Sequence, residues 1–269
     1  MKAGMTTRRN FLRASLLVYA LVAYPGRAIC AGRRDDPTRL PEQAQGIVTQ
    51  IIDSASLRLD DGGLLFLAGL DPLALHFNGH ADPGLLGELQ SLLANQPISL
   101  RADHAIVDRY DRLTGQGVDS NGQWLQAEIL RRGLGRVLPG PDARFGLDRL
   151  ISIEDQARRA NLGLWARPQR QVLSPDNAHR LLGQFGLIEG RPTHVGRARS
   201  GYYIDFDAGP KRHLFSVKIG ALQFTGRKSG RVDPFALVGQ RLRVRGLVED
   251  RGHPFMLVTE RDQLEILDD

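Results

Sequence analysis

The chain has 269 residues, enough for one large or two small domains with real cores, and its 42% hydrophobic and 25% charged content excludes a wholly disordered protein. The formal net charge of +6 is unevenly placed. Residues 1–31 hold five basic groups (Lys2, Arg8, Arg9, Arg13, Arg27) and no acid, so the remainder carries only +1. A basic attraction spread over the whole surface is thereby excluded. Any electrostatic footprint is confined to residues 167–269, with 17 basic and 12 acidic groups against 11 and 15 in residues 45–166.

Thr7-Arg8-Arg9-Asn10-Phe11-Leu12-Arg13 precedes an apolar stretch from Ala14 to Tyr24, then Pro25-Gly26 and small residues around Ala28, Cys30 and Ala31. A basic segment, a short apolar segment and small residues predict a cleaved export signal over 1–31. The paired arginines followed by Phe-Leu resemble a twin-arginine signal, which implies a periplasmic or secreted protein folded before export. The apolar run falls well short of the roughly 20 residues that a bilayer span needs, so no stable membrane anchor is expected after cleavage. Cys30 is the only cysteine. A chain cleaved after Cys30 or Ala31 has no disulfide, thiolate metal site or thiol nucleophile.

Residues 32–44 read as a polar linker. Beyond them, Ile47-Val48, Ile51-Ile52 and the alternating Ser56-Leu57-Arg58-Leu59 predict strands. Asp60-Asp61-Gly62-Gly63 predicts a tight turn, and Leu64 to Leu70 a buried strand. Leucines spaced three and four apart predict a helix over Pro83 to Ala94, followed by a short strand at Ile98–Leu100. Two further helices are expected at about Trp124–Arg132, with Gly133 as its C-cap, and Leu147–Asn161. Residues 172–186 read as a short connecting helix. From 188 to 269 the chain is strand-rich, with Tyr202–Phe206, His213–Val217, Arg241–Gly246 and Met256–Val258 as strands between glycine turns. That pattern suggests a small barrel such as an OB-fold.

Four blocks in order carry a resemblance. They are Ile52-Asp53-Ser54-Ala55-Ser56-Leu57-Arg58-Leu59, Phe66-Leu67-Ala68-Gly69-Leu70-Asp71-Pro72-Leu73-Ala74, Asp108-Arg109-Tyr110-Asp111-Arg112, and Glu154-Asp155-Gln156-Ala157-Arg158 running on to Trp165. Residues 45–166 resemble the staphylococcal-nuclease (thermonuclease) family, whose members are calcium-dependent phosphodiesterases on an OB-like barrel with helices. The resemblance implies a nuclease-like barrel with helices over 45–166; with the strand pattern above, the chain reads as mainly β, α+β, with a connector over 167–187 and a second small OB-like barrel over 188–269, which itself looks like the OB-like tail of some bacterial relatives. It also implies which chemistry is missing. The family's second aspartate ligand falls on Ala55, its first phosphate-binding arginine on Phe66 and its water-orienting glutamate on Ala74. Asp71 remains as a ligand and Arg112 as an arginine, with Asp53 as a weak second ligand and Ser56 beside it. Calcium needs several hard oxygens, and loss of one charge-stabilising donor costs about 3–4 kcal/mol of barrier. The expectation is a nuclease fold with little or no cleavage, calcium being a cofactor only if the site works.

Arg112 is open to two readings, a phosphate contact or a structural ion pair with Asp71 or Asp108. His76, His80 and Asp82 have helical metal-site spacing, but Asn78-Gly79 between them argues for a solvated turn. The richest basic region is 189–245, with 12 basic groups against four acids. Arg241, Arg243 and Arg245 alternate, so they share one face of a strand. Arg197, Arg199, Lys211 and Arg212 lie nearby, and of the adjacent Tyr202 and Tyr203 one ring must face outward. A basic face with an exposed aromatic suits single-stranded nucleic acid or another polyanion. A merely solvated face, or an edge strand defended against aggregation, uses the same residues. A protein partner in the periplasm is a further reading, as is an active nuclease with a rebuilt site.

Overall fold

The described residues open on a capped turn. The Asp36 carboxylate accepts the Thr38 N–H and caps a 3-10 turn at Pro37–Arg39. The chain then enters β1 (Glu42–Ile51), three residues ahead of the boundary expected from composition. The structure, a computed structural model, describes residues 35–77, 79–168, 171–206, 214–220 and 233–268. The expected signal segment and Lys211 and Arg212 lie outside them, as do Asn78 and the basic residues Arg227, Lys228 and Arg231. Among the described residues no helix is long and apolar enough to cross a membrane.

The fold is mainly β with a few helices. The first half runs β1, β2 (Ser56–Leu59), β3 (Leu64–Leu67), a small hairpin of β4 (His76–Phe77) and β5 (His80–Ala81), α1 (Pro83–Leu93), β6 (Pro97–Val107), β7 (Leu113–Asp119), α2 (Leu125–Arg131) and α3 (Leu147–Arg159). Five of its strands close into a barrel in the order β1-β2-β3-β7-β6, with β3 and β7 parallel and the other neighbours antiparallel. β1 serves two partners: Glu42–Ile47 pairs with β6 and Val48–Ile51 with β2. Leu57 and Leu59 of β2 and Leu65 and Leu67 of β3 point inward with Leu85, Leu89 and Leu93 of α1, which recur every four residues. Asp82 caps α1 by accepting the N–H groups of Gly84 and Leu85, and Pro83 opens the first turn.

β7 carries little strand signal because glycines occupy alternate positions. The fold requires them. A Cβ on Gly115 would lie 2.7 Å from the Arg101 carbonyl oxygen, and one on Gly117 2.8 Å from side-chain carbons of Leu67 and Leu125.

The segment expected as a connecting helix is a 3-10 turn over Pro175–Leu181, and a strand begins soon after it. The second sheet contains β8 (Phe185–Gly190), β9 (His194–Ala198), β10 (Gly201–Asp205), β11 (Ser216–Gly220), β12 (Leu242–Asp250), β13 (Pro254–Val258) and β14 (Leu264–Ile266). Its order is β14-β12-β13-β11-β10-β9, with β8 also paired to β12 and with β11 and β13 parallel. Each half has its own apolar core. The second is built on Ile204, Phe215, Val217, Ile219, Val244 and Met256. Leu187 of β8 nevertheless belongs to the first core, and Val172 and Phe185 pack against it.

Candidate functional site

Two places in the fold hold the residues singled out by sequence. The first is the outer wall of the barrel, where the β1–β2 loop, β3 and the β6–β7 turn meet. Asp53 ends the β1 excursion, and its Oδ1 accepts the N–H groups of Ala55 and Ser56 at 2.8 Å each. Its carboxylate therefore shapes the turn. Asp71 follows β3 and is 4% exposed. Its Oδ2 accepts from Arg136 Nη2 at 2.6 Å and Nε at 3.2 Å, and its Oδ1 from the Leu73 N–H at 3.0 Å. The Arg136 guanidinium also donates to the Phe185 carbonyl and lies 5.2 Å from that ring's centroid.

Arg112 is as fully engaged. It donates from Nε and Nη2 to Asp108 Oδ2 at 2.9 and 2.7 Å, and from Nη1 to Ser56 Oγ at 2.6 Å. The Phe66 ring lies 4.4 Å from its guanidinium carbon and the Tyr110 ring 4.9 Å. Of the two partners weighed for Arg112, Asp108 is the one it meets. Burial works against the Asp108 charge, yet the Arg112 guanidinium and the N–H groups of Arg112 and Tyr110 hold its carboxyl below the ordinary value. Arg109 stacks on Tyr110 at the exposed edge of the turn.

Ala55, Phe66 and Ala74, the other three positions singled out by sequence, are absorbed into the packing. Ala55 and Ala74 are fully buried in the first core. The Phe66 ring is the platform on which Arg112 lies. The oxygens at this wall do not fit a calcium ion: Ala55 has no side-chain oxygen and its carbonyl accepts the Leu67 N–H, both Asp71 oxygens accept from neighbours, and Asp53 Oδ1 accepts two backbone N–H groups. Among the described residues no three His, Cys, Asp or Glu side chains cluster as a metal site. His76 and His80 lie on the β4–β5 hairpin in register with Ala81 and Phe77, not with each other, and Asp82 is taken by the helix cap and by Arg167.

The second place is the sheet of the C-terminal half, where one expectation needs correction. Arg241, just ahead of β12, is exposed, but Arg243 and Arg245 on the strand are not part of a solvated strip. These two are buried against acids of α3. Arg245 is 1% exposed and bridges Glu154 of α3 at 2.7 Å and Glu265 of β14 at 2.6 Å. Arg243 reaches Asp155 at 2.8 Å and Glu189 at 3.1 Å, and Arg241 donates to Glu189 at 2.7 Å. The physical reason is complementary charge: the acids of α3, β8 and β14 converge on the arginines, and burial of an unpaired guanidinium would be prohibitive. The coulombic pull of Glu154 and Glu265 outweighs desolvation and raises the Arg245 pKa. At Asp155 burial is the largest influence and opposes ionisation. The Arg158 hydrogen bond and the Arg243 charge override it and lower the pKa.

The tyrosines divide as alternation requires. Tyr202 turns toward the core and meets Phe235 edge-on at 5.7 Å. Tyr203 faces the other way, 5.7 Å from the Lys218 ammonium and 6.4 Å from the Phe255 ring. Arg251 lies 4.2 Å over Phe255, and Tyr203, Asp205, Ser216, Arg251, His253 and Phe255 line a cleft of about 310 Å³. Inside it Ser216 Oγ is 2.8 Å from Asp205 Oδ1 and 3.0 Å from His253 Nε2. The hydroxyl thus bridges the carboxylate and the imidazole, and the His253 tautomer sets the direction of the second bond. Arg197 and Arg199 are exposed on β9 and the turn after it. Sequence reasoning missed Arg136, Lys218 and Arg251. Lys218 alternates with buried neighbours on β11 and was open to detection, whereas nothing in the order of residues pairs Arg136 with Asp71.

A search of protein-family models finds no match to this chain, and a search of curated proteins finds none either.

Proposed function

We propose that the chain is an exported protein of the staphylococcal-nuclease type that has kept the scaffold and lost the cleavage chemistry, and that it binds single-stranded nucleic acid or a similar polyanion through its C-terminal sheet. The observation that carries the loss is the occupation of both retained groups. Asp71 is ion-paired to Arg136, and Arg112 is held by Asp108 and Ser56 between two rings. Neither is free for a metal or a phosphate without breaking a buried or half-buried pair.

Topology supports the tandem OB-like reading. In the barrel the strand path is first-second-third-fifth-fourth, closed through a first strand shared between two partners, with third and fifth parallel. In the second sheet β8 pairs with β12, and β9, three residues on, pairs with β10. With β8 and β9 taken as one interrupted first strand, the path β10-β11-β13-β12 repeats the same order and the same parallel pair. OB-folds bind oligomers on the outer face of their second and third strands. Here that face carries Tyr203 and Lys218, with Arg251 at the neighbouring hairpin.

The test is binding of a fluorescent single-stranded oligonucleotide across a salt series. Affinity should fall steeply with salt, and Lys218→Ala or Arg251→Ala should weaken binding and flatten the slope by about one ion each. Salt-insensitive binding, or equal binding by both variants and the parent, would contradict the reading.

A further inference from the structure

The outer face of the second sheet carries an apolar row that continues the Tyr203 and Lys218 surface onto two further strands. Tyr203 of β10 is in register with Lys218 of β11, and Lys218 with Leu257 of β13. The antiparallel pairing of β13 with β12 places Leu247 opposite Leu257, one step beyond the Val248–Met256 pair. Side chains in register on neighbouring strands stand on one face, so Leu247, Leu257, Lys218 and Tyr203 form a single row, about 14 Å long over three strand spacings.

Both leucines are exposed, Leu247 at 51% and Leu257 at 41%, while their chain neighbours Val248, Met256 and Val258 are buried in the second core. A lone exposed leucine is ordinary, but two set side by side and followed by a cation and a ring make a platform. The next row on the same face is Glu249, Phe255, Ser216 and Asp205. Its charges are answered within the sheet. Arg251 donates to Glu249 at 2.8 and 3.0 Å, and Ser216 Oγ lies 2.8 Å from Asp205 Oδ1. Of the four residues in the leucine row only Lys218 is charged, and it is positive.

We propose that this row takes unpaired bases, and that the ligand of the C-terminal sheet is single-stranded nucleic acid in particular, not a polyanion without rings. The inference rests on the polyanion reading given above and narrows it. A base stacked on Tyr203 and a phosphate at Lys218 leave the next bases of the strand over Leu257 and Leu247, whose exposed carbons gain only from a ligand with flat apolar faces. A polyphosphate or a sulfated sugar carries charge without such faces, and a duplex hides them by stacking. An anionic bilayer would press its headgroups on Glu249 and Asp205 before the leucines entered it. OB-folds take oligomers on their second and third strands, here β10 and β11, and the leucines extend that surface to β13 and β12.

The experiment is fluorescence anisotropy of the full chain with a labelled oligothymidine, in competition with an abasic deoxyribose-phosphate strand of equal length, polyphosphate and phosphatidylglycerol vesicles. Leu247→Thr combined with Leu257→Thr removes apolar surface and keeps two strand-forming residues. It should weaken oligothymidine binding about tenfold and leave the slope of affinity against salt unchanged, because no ion is lost. Polyphosphate should bind parent and variant alike. Leu257→Phe, which sets a ring on the same spot, should tighten oligothymidine about threefold and so tests the row without a polar residue in the strand. Oligothymidine binding unchanged by the threonine pair, equal competition by the abasic strand, tighter binding of vesicles, or weaker binding in Leu257→Phe would each overturn the proposal. Salt-dependent binding without preference for bases would sink it while leaving the polyanion reading in place. Absence of binding to oligothymidine and polyphosphate alike would end both.

Discussion

Arg245 and Glu154 are the most deeply buried ion pair described, 1% and 2% exposed in their side chains. Such a pair is weak evidence for net stability, because desolvating two charges offsets their attraction. Breaking it from one side is another matter. Arg245→Ala leaves Glu154 charged in a place without water, and the expected loss is about 3–5 kcal/mol in urea unfolding. Replacing both, as Arg245→Met with Glu154→Leu, should recover much of that loss, and a double variant as unstable as the single would argue against the account. Arg112 supports a gentler prediction. Lysine keeps the charge but cannot serve Asp108 and Ser56 at once or lie flat on Phe66, so Arg112→Lys should destabilise by about 1–3 kcal/mol. Asp262 behaves in the opposite sense. Burial and the nearby Asp148 charge raise its pKa, so its ionised form costs stability at neutral pH. Asp262→Asn should raise the thermal midpoint at pH 7, with the gain disappearing in acid.

At the level of elements, the strands with alternating leucines were legible in sequence, and so were the three helices, because their cores are local in pattern. β7 was not, since its glycines are selected by what crosses close to them. Gly115→Ala would press a methyl group against the Arg101 carbonyl, a backbone atom that cannot move alone. A loss of about 1–3 kcal/mol is expected, and an unchanged unfolding midpoint would show that the strands tolerate wider spacing. β12 gives the complementary lesson. Alternation placed Arg243 and Arg245 on one face of it correctly, yet periodicity cannot say whether a face meets water or another element. The acids that answer them sit 20 to 91 positions away in sequence. The wall around Asp71 and Arg112 was legible in part for the same reason. The identities of Ala55, Phe66 and Ala74 are local facts of the sequence, whereas the capture of Asp71 by Arg136 across 65 positions is a product of the fold.

Over the whole molecule, the α3–β12 pairs and Leu187 fasten the two halves into one compact unit. Urea unfolding should therefore show one transition, and separate transitions for the two sheets would contradict the coupling. Acid should loosen it. Asp108 and Asp155 titrate below the ordinary aspartate value of 3.8, so their stabilising contribution is complete above that value and is lost as pH falls through their lowered pKa values. The fold as a mainly β protein with a closed barrel is established by its strand pairing. The proposed loss of nuclease chemistry is tested most directly by one assay on the full chain: single-stranded DNA with millimolar calcium, then with chelator, following cleavage and binding together. The account predicts intact DNA under both conditions, with salt-dependent binding. Calcium-dependent cleavage that disappears in Asp71→Ala would contradict it, and would mean that the Arg136 pair opens to admit the metal.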